Sequence, residues 1–381
     1  MQTTVEQRSE YAQAGVDYRK IKPFKQAMIR TAQRTVRFPN KRDVFVSENL
    51  LHAHGGVFWY AGGNRPHMWC QTTEGLGNKN WIAEWMAQFA GTGKSYYKGI
   101  PIDTALMAAN DCIAQGAMPV AYTDEVAAGQ DSWFMDANRA ADIGEGFYEV
   151  CEAVGMALVQ GESPALKYLI NALPPVTSAP SFSGCVTGII VDPDKNLVTG
   201  KKMGATDVVV GLTASGLHAN GISLVIKRAL GLKEEFLAKL PNGNTLGDEA
   251  LIPTRSYVRA VEEWQLHDLD IHALVPGTGG GIAKLAFDER PFTYRIHDWP
   301  KEIPQLFLFM QELGVSIMDI LTTFNWGIGY YAIFSKTDGE KAAEVARKAG
   351  YDALIVGRVE EGERQVIFGP EGDLVLPPPA D

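Results

Sequence analysis

The sequence predicts an α/β or α+β protein made of two domains. Its 381 residues exceed what one hydrophobic core usually holds and suit two domains of roughly 150 to 200 residues each. In the second half, β-rich runs such as DVVVGL and GIGYYAIFS alternate with amphipathic runs such as TRSYVRAVEEW and GEKAAEVARKAG. This alternation predicts strands that are covered by helices in layers. The turn DPDKN follows the strand CVTGIIV and separates residues 1–193 from residues 194–381.

The first half also mixes the two patterns. KPFKQAMIRTAQRT is predicted to form an amphipathic helix, and GVFWYAG and HMWCQTT to form short strands. KNWIAEWMAQFAG has helical spacing of its large apolar residues, and Gly91 is expected to end that helix. IDTALMAANDCIAQGA predicts a helix as far as Gly116, then the strand PVAYTDEVAAG and a helix from Phe134 to Gly155.

The remaining elements of the second half follow the same reasoning. NGISLVIKRAL, GGIAKLAF and IPQLFLFMQEL are predicted helices, whereas DIHALV and DALIVGRV are predicted strands.

Composition excludes several classes of protein. The chain has 35 basic and 45 acidic residues, a net charge of −10 that repels phosphate backbones, so we expect no nucleic-acid partner. The four cysteines (Cys70, Cys112, Cys151 and Cys185) form no C-x-x-C pair and are expected to be reduced thiols. The first residues lack a signal peptide's apolar core, and no run of about 18 apolar residues predicts a membrane span. We expect a cytoplasmic protein with no membrane partner.

The segment QFAGTGKSYYK contains an apparent phosphate-binding P-loop ending at Ser95. A P-loop needs a glycine five positions before its Gly-Lys-Ser end and lies between a strand and a helix. Here Gln88 occupies the first glycine position, and the loop follows a predicted helix. We therefore interpret this loop as a helix-ending turn.

Two other glycine-containing loops each follow a strand and open a helix. VPGTGGGIAKL could direct the amides of Thr278, Gly279, Gly280 and Gly281 at an anion, but Ile282 replaces the third glycine of a dinucleotide-binding motif. From the residues alone, a tight turn explains this loop equally well.

ASGLHANGISL places His218 and Asn220 at a helix entrance. Asn220 could be a simple helix cap, and a loop histidine such as His218 is more often structural than catalytic.

Acidic side chains near strand ends and helix starts suggest a magnesium–nucleotide site. In TTEGLGNKNW, Gly75 and Gly77 would let the backbone approach phosphate, Lys79 would neutralise it, and Glu74 could bind Mg²⁺. Asp103 and Asp111 are eight residues apart, about 2.2 helical turns, so they lie on roughly similar helix faces. Asn110 is next to Asp111, and Glu162 ends another predicted strand. His52 and His54 could form a metal pair, although an ordinary packed or solvated role is favoured.

Together these motifs resemble the phosphoribosylformylglycinamidine cyclo-ligase (aminoimidazole ribonucleotide synthetase) family. The matching stretches occur in the family's order along nearly the whole chain: YAQAGVD from Tyr11, EGLGNK from Glu74, IDTALMAANDCIAQGAMP from Ile102, QGES from Gln160, GLHANGISLV from Gly216, PTRSYV from Pro253, TGGG from Thr278 and TFNWGIG from Thr323.

The resemblance implies a two-domain ATP-binding synthetase fold without a P-loop. Its N-terminal sheet domain would form a homodimer, and its C-terminal domain would be ferredoxin-like. The implied reaction uses ATP and Mg²⁺ to close formylglycinamidine ribonucleotide, a phosphoribosyl nucleotide, into 5-aminoimidazole ribonucleotide, with release of ADP and phosphate.

Roles for the residues follow from this resemblance. The residues expected to bind Mg²⁺ are Glu74, Asp103 and Asp111. The nucleotide phosphates are expected to contact Lys79, Gly75 and Gly77. Asn110 and Glu162 would line the same site, and the turn from Thr278 to Gly281 would hold a phosphate. His218 and Asn220 would orient the substrate and move a proton, since imidazole ordinarily titrates near working pH.

The chain departs from the family at several positions. Glu74 replaces the usual Asp, Asn78 replaces Thr, Gln160 and Ser163 replace Gly and Thr, and Val275-Pro276 replaces a loop histidine. A divergent member with another substrate is therefore one alternative, such as a small-molecule kinase of the same superfamily. A non-catalytic dimeric homologue is the other alternative.

Overall fold

Two β-sheets, one in each half of the chain, organise the structure. The computed structural model describes residues 15–47 and 55–379. In the first half the described elements are, in order, α1 (Tyr18–Thr35), β1 (Val44–Val46), β2 (Phe58–Tyr60), β3 (His67–Gly75), α2 (Lys79–Phe89), α3 (Gly99–Ile113), β4 (Met118–Ala127), α4 (Ala137–Val154), β5 (Ala157–Glu162) and β6 (Ser181–Val191).

The N-terminal sheet has the strand order β3-β6-β4-β5. Strand β6 is antiparallel to both β3 and β4, and β4 runs parallel to β5. Helices α1, α3 and α4 pack over one face, where Tyr122 and Phe147 are fully buried. The short hairpin of β1 and β2 covers part of the opposite face, where Val44 packs with Val120 and Ile189.

The second half contains α5 (Pro193–Asn196), β7 (Val208–Thr213), α6 (Ile222–Ala229), α7 (Leu246–Ala250), α8 (Val258–Leu266), β8 (Ile271–Pro276), β9 (Phe292–Ile296), α9 (Gln305–Glu312), α10 (Ile317–Thr323), β10 (Ile328–Phe334), α11 (Lys336–Lys348), β11 (Ala353–Glu361), β12 (Gln365–Phe368) and β13 (Leu374–Leu376). Its sheet has the order β13-β12-β9-β11-β7-β10-β8.

Four of these strands form a ferredoxin-like core. Strands β7, β8, β10 and β11 lie in the order β11-β7-β10-β8 with antiparallel neighbours, which is the 4-1-3-2 arrangement of that fold. Helix α11 packs on α8 and on the strands of this core. The predicted fold class, an α/β (α+β) protein with a ferredoxin-like C-terminal part, is confirmed.

The two halves share one buried core. Leu106 and Ala109 of α3 belong to the same apolar cluster as Tyr257, Trp264 and Tyr330 of the second half. Helix α3 is therefore sandwiched between the two sheets, and the site described below lies along this contact. The domain boundary between residues 193 and 194 stays a prediction.

Three predicted helices differ from the observed elements. The helix predicted for TRSYVRAVEEW begins only at Val258, because the N–H groups of Thr254 and Tyr257 donate to side chains of α3. GGIAKLAF forms 3-10 turns over Gly281–Phe287 instead of an α-helix. The helix predicted from Phe134 begins at Ala137, where Asp136 caps it. Strands β9, β12 and β13 were not predicted.

The segment Gly93-Lys94-Ser95 follows a helix and not a strand, as predicted, and therefore lacks the context of a P-loop. Helix α2 ends at Phe89, and Gly91 takes a left-handed φ of 67° beyond it. The segment joins α2 to α3, and the Ser95 hydroxyl donates to Asp142. His52 and His54 lie outside the described residues. Within 15–47 and 55–379, no helix is both long and apolar enough to cross a bilayer.

Candidate active site

Two carboxylates from different elements meet at the end of β3. Thr72 donates its hydroxyl to the Ala108 carbonyl at 2.8 Å and thereby fixes α3 against β3. Glu74 lies two residues further along the same face of the strand, and Asp111 lies about one turn further along the helix. Their carboxyl groups lie close enough to influence each other's pKa. Glu74 and Asp111 are thus brought together, as the sequence predicted.

A lysine from the second half of the chain lies beside this acid pair. Lys284 donates to the Thr278 hydroxyl, and its positive charge interacts with both Asp111 and Glu74. Sequence reasoning missed Lys284, because its partners are more than 170 residues away along the chain. The only available signal was a basic residue shortly after the glycine run.

The electrostatics of the acid pair favour a cation. Burial raises the pKa of Asp111 and of Glu74, and the positive charge of Lys284 acts in the opposite direction on both. The Asp111 Oδ1 atom is buried and accepts no hydrogen bond from the described residues. A buried carboxylate oxygen without a partner fits Mg²⁺, which prefers oxygen ligands and usually keeps water or phosphate oxygens as well. Among the described residues no cluster of three or more His, Cys, Asp or Glu side chains is present, so the pair would supply two ligands.

The loop after β3 leaves room for a ligand. A Cβ atom placed on Gly75 or Gly77 would meet no heavy atom within 4 Å. The loop opens into a cavity of about 580 Å³. Its walls are mainly apolar, with Trp81, Leu173 and Ile226 among them, and Asn78 and Ser223 hydrogen bond to each other at its rim. This volume is within the range that small-molecule sites occupy.

Asp103 and Lys79 lie elsewhere, so the predicted metal set of Glu74, Asp103 and Asp111 is not assembled. The Lys79 ammonium is fully buried 2.9 Å from Asp103 Oδ2 and donates to the carbonyls of His218 and Ile252 at 3.0 and 2.7 Å. Asp103 Oδ1 accepts hydrogen bonds from the backbone and hydroxyl of Thr254. Both side chains are therefore committed to an internal ion pair, not to a phosphate or a metal ion.

Helix geometry explains this separation. Eight residues rise about 12 Å along a helix, so Asp103 and Asp111 lie at different depths even where their faces are similar. The prediction from the sequence used the directions of the two side chains around the helix, but it did not include their separation along the helix axis.

Asn110 also has a structural environment. Its amide donates to the Arg255 carbonyl at 3.1 Å and accepts the Tyr257 N–H at 3.1 Å. Its backbone carbonyl accepts the Tyr330 hydroxyl at 3.2 Å. Asn110 therefore fastens α3 to the second half, and it lines a narrow cavity together with His218, Asn220 and Thr278. Its predicted place beside the nucleotide stays a prediction.

His218 is buried and does not have the acid–base properties expected from the sequence. Burial, with the positive charges of Lys79 and Arg255, lowers the pKa of His218 to about 3. Its Nε2 accepts the Ser215 N–H at 3.2 Å, so this nitrogen has no proton and the other ring nitrogen carries it. A neutral imidazole held in this way can donate a hydrogen bond, but it does not exchange a proton near pH 7.

Asn220 lies beside the glycine turn of the second half. The helix cap is Gly221, without a side-chain hydrogen bond, so the alternative of Asn220 as a helix cap is wrong. A Cβ on Gly279 would lie 3.7 Å from Asn220 Oδ1, which places the two loops next to each other. Gly280 and Gly281 have φ angles of 92° and 58°, and a Cβ on Gly281 would overlap the Leu321 carbonyl. Tight packing thus requires glycine at Gly281.

Glu162 is not brought to the acid pair within one chain. Gly75, Ser183, Glu125 and Glu162 lie opposite one another in a row across the sheet, so three strand spacings, about 14 Å, separate Glu162 from the end of β3. Its carboxylate binds Lys25 at 2.9 Å.

Asp124, on the neighbouring strand, was missed by sequence reasoning. Its Oδ1 is buried without a hydrogen-bond partner among the described residues. Burial, with smaller contributions from Glu162 and Glu125, raises its pKa to about 7.

Structural neighbours share this fold at low sequence identity. Hydrogenase maturation protein HypE superposes with a TM-score of 0.55 at 16% identity, covering 83% of this chain and 89% of HypE. A thiamine-monophosphate kinase from Stenotrophomonas maltophilia gives a TM-score of 0.55 at 14% identity, with coverage of 88% and 93%. At these identities the likeness concerns the fold alone.

Sequence comparison identifies the family. Residues 63–190 match the family described as AIR synthase related protein, N-terminal domain, and residues 204–369 match its C-terminal domain. Relatives named phosphoribosylformylglycinamidine cyclo-ligase include that of Methanococcus maripaludis, 30% identical over 353 residues and 92% of each chain. That of Thermococcus gammatolerans is 32% identical over 368 residues, covering 94% of this chain and 98% of the relative. The resemblance read from the motifs is confirmed: the chain belongs to the AIR synthase family and is an enzyme of the ligase class.

Proposed function

We propose that this enzyme converts formylglycinamidine ribonucleotide to 5-aminoimidazole ribonucleotide, a step of purine biosynthesis, and releases ADP and phosphate. The observation that carries the proposal is the Glu74–Asp111 pair, with its unpartnered Asp111 oxygen, directly before the loop in which Leu76, Gly77 and Asn78 line a cavity of about 580 Å³. The names of its relatives support this reaction over others of the superfamily.

ATP would lie along the loop between Glu74 and Lys79. Its phosphates would reach the acid pair over Gly75 and Gly77, where no side chain blocks the backbone. Its base would enter the apolar cavity beside Trp81. HypE, which shares the fold with a TM-score of 0.54 and 17% identity over 83% of this chain and 86% of its own, has been solved in complex with ATP, and this supports the choice of nucleotide.

The reaction needs activation of a poor leaving group. Transfer of the γ-phosphoryl group to the formyl oxygen converts this oxygen into a phosphate ester, the neighbouring amidine nitrogen then attacks the same carbon, and phosphate leaves. Most of the catalytic effect in such a reaction comes from positioning and charge neutralisation. Lys284 supplies a positive charge beside the transferred group, and Thr278 holds that lysine in place.

Glu74 and Asp111 would hold Mg²⁺. The ion would neutralise phosphate charge when it is bound. His218, as a permanently neutral donor, would orient the substrate together with Asn220. Lys79 contributes indirectly, since its hydrogen bond to the His218 carbonyl fixes the position of this loop.

A homodimer through the N-terminal sheet is part of the proposal. Trp59, Met68 and Trp69 are 53%, 50% and 44% exposed on and around β3, which is unusually open for large apolar side chains. Strand β3 is also an edge strand of its sheet. A partner covering this region would bury both features. Light scattering at micromolar concentration should give twice the chain mass of 41.6 kDa, and Trp69→Glu should shift it toward the monomer. A wild-type mass near that of one chain would exclude the dimer.

ADP release with different substrates tests the proposed reaction. The enzyme should release ADP with formylglycinamidine ribonucleotide and not with thiamine monophosphate or selenide. Preference for thiamine monophosphate would establish the kinase alternative, and no ADP release with any of them would favour the non-catalytic homologue.

Two aspartates on one helix provide matched variants for the metal site. Asp111→Asn should lower turnover by about ten- to a hundredfold, because charge-assisted contacts contribute roughly 1.5 to 3 kcal/mol, and excess Mg²⁺ should restore part of it. Asp103→Asn, assayed at a temperature at which circular dichroism shows it to be folded, should not respond to Mg²⁺, because Asp103 faces Lys79. Equal Mg²⁺ dependence of the two variants would contradict the assignment.

A further inference from the structure

Two cysteines lie where β3 packs against α3, next to the acid pair: Cys70 is on the strand of Glu74, and Cys112 follows Asp111 on its helix. The Cys70 and Cys112 thiols lie next to each other and influence each other's pKa. Cys70 lies opposite Gly188 of β6, and a Cβ on Gly188 would overlap the Cys112 sulfur. The missing side chain at Gly188 therefore provides the space in which the two sulfurs meet.

The alternation of β3 supports the same placement. Cys70, Thr72 and Glu74 alternate along the strand and point toward α3, where Thr72 contacts Ala108 and Glu74 contacts Asp111. Cys112 lies one turn after Ala108 on the same helix face. The two thiols thus extend the row of contacts that forms the candidate site.

We propose that Cys70 and Cys112 are an oxidation site that forms an intramolecular disulfide with a hydroperoxide such as hydrogen peroxide. Cys70 is half-buried and Cys112 is buried, so the peroxide meets Cys70 first. The neighbouring Cys112 thiol lowers the pKa of Cys70 to about 7, which increases the fraction of reactive thiolate.

The chemistry balances with one peroxide for each pair of thiols. The Cys70 thiolate attacks a peroxide oxygen, the O–O bond breaks, and Cys70 sulfenic acid and one water form. The Cys112 sulfur then attacks the sulfenic sulfur, the S–S bond forms, and the S–O bond breaks to release a second water. The two cysteines together lose two electrons and two protons, and hydrogen peroxide is reduced to two water molecules.

The bond would alter the metal site. A disulfide holds its two sulfurs about 2.05 Å apart, closer than two unbonded sulfurs can lie, so α3 must approach β3 at Cys112. Asp111 precedes Cys112 and would shift with it, which changes its position relative to Glu74. Weaker metal binding is the expected consequence, and this part rests on the proposed function, whereas the disulfide itself does not.

Peptide mapping tests the bond. After treatment with hydrogen peroxide and blocking of free thiols, the reduced and oxidised proteins are digested and compared by mass spectrometry. The wild type should lose about two hydrogen atoms of mass and contain a Cys70–Cys112 crosslink that dithiothreitol reverses. Cys70→Ser and Cys112→Ser should contain no crosslink, and Cys185→Ser, altered on the opposite face of β6, should behave as the wild type. Over-oxidation of Cys70 with Cys112 still free, or a crosslink to Cys185, would overturn the proposal.

Titration with Mn²⁺ tests the coupling separately and needs no substrate. The oxidised wild type should bind Mn²⁺ at least tenfold more weakly than the reduced protein, and Cys70→Ser should show no change on peroxide treatment. Crosslinked protein with unchanged Mn²⁺ affinity would disprove the coupling. If the reduced protein bound no Mn²⁺ while the crosslink formed, the proposed metal pair would fail and the oxidation site would stand.

Discussion

Lys79 and Asp103 form a completely buried ion pair, with 2.9 Å between Nζ and Oδ2, that links α2 and α3 to the loop before α8. Thr254 donates to the same aspartate, and Lys79 reaches the carbonyls of His218 and Ile252. The residues that most resembled a nucleotide and metal site in the sequence thus hold together the elements around that site.

Asp103→Asn should be strongly destabilising. Removal of one partner leaves the Lys79 charge buried without compensation, which costs about 3 to 5 kcal/mol. The double variant Lys79→Met with Asp103→Asn should recover part of this loss, because no charge remains and the Asn oxygen can still accept from Thr254. Urea unfolding of the single and double variants measures both effects. An Asp103→Asn protein that unfolds like the wild type but binds Mn²⁺ poorly would make Asp103 a metal ligand after all.

His218 should stay neutral throughout the physiological range. With a folded pKa of about 3 against 6.5 for the free side chain, the unfolded chain binds the additional proton between these values. The contribution of His218 to stability is therefore complete above pH 6.5 and is lost as the pH falls toward 3, by about 1.4 kcal/mol per pH unit. NMR of the imidazole carbons should show no His218 titration between pH 5 and 9. An inflection of the His218 signal between pH 5.5 and 7.5 would restore the proton-transfer role.

Asp124 should act on stability in the opposite direction. Its folded pKa of about 7 exceeds the ordinary 3.8, so the folded protein retains a proton that the unfolded chain has lost. The contribution of Asp124 to stability is then highest below pH 3.8, falls as the pH rises toward 7, and is constant above it. Asp124→Asn removes the buried charge and should be more stable than the wild type at pH 8, by about 2 to 4 kcal/mol, with the difference vanishing near pH 4. Urea unfolding of the wild type and of Asp124→Asn, in EDTA at several pH values, measures this difference in stability. An equal pH dependence of the two proteins would contradict the prediction.

Sequence reasoning was strongest where a local pattern determines local structure. The alternation in the second half predicted strands covered by helices, while the ferredoxin-like core was implied by the family resemblance. Gly91 was recognised as a helix end because a left-handed residue there favours glycine. Both members of the acid pair, Glu74 and Asp111, were predicted as metal ligands, but the neighbouring Lys284 was not predicted. Its position depends on how the two halves pack, and that packing leaves no local pattern near Lys284.

The same limit applies to electrostatics. The residue type of His218 indicated a proton carrier, whereas its low pKa results from burial next to Lys79 and Arg255, which are distant in sequence. Asp124 is surrounded by strand residues that predict only a buried strand. Its raised pKa follows from burial, with a smaller contribution from Glu162, which the pairing of β4 with β5 brings alongside.

Lys284 provides a direct test of the charges at the candidate site. In the absence of nucleotide its ammonium offsets the negative charge of Glu74 and Asp111 and so opposes a second cation. Lys284→Met should therefore bind Mn²⁺ more tightly at pH 8, by about three- to tenfold, or about 0.7 to 1.4 kcal/mol. Turnover should nevertheless fall by at least about tenfold, because the transferred phosphoryl group loses its positive partner.

Two lysine variants separate charge from other effects of this substitution. Lys284→Arg keeps the charge and should bind Mn²⁺ like the wild type. Lys94→Met removes a lysine from the exposed loop between α2 and α3 and should change neither Mn²⁺ binding nor ATP affinity, as expected if that loop is no P-loop. Electron paramagnetic resonance titrations give the Mn²⁺ affinities, and ADP release gives turnover. Weaker Mn²⁺ binding in Lys284→Met would mean that the lysine holds the two carboxylates in place, and that its charge does not compete with the metal ion.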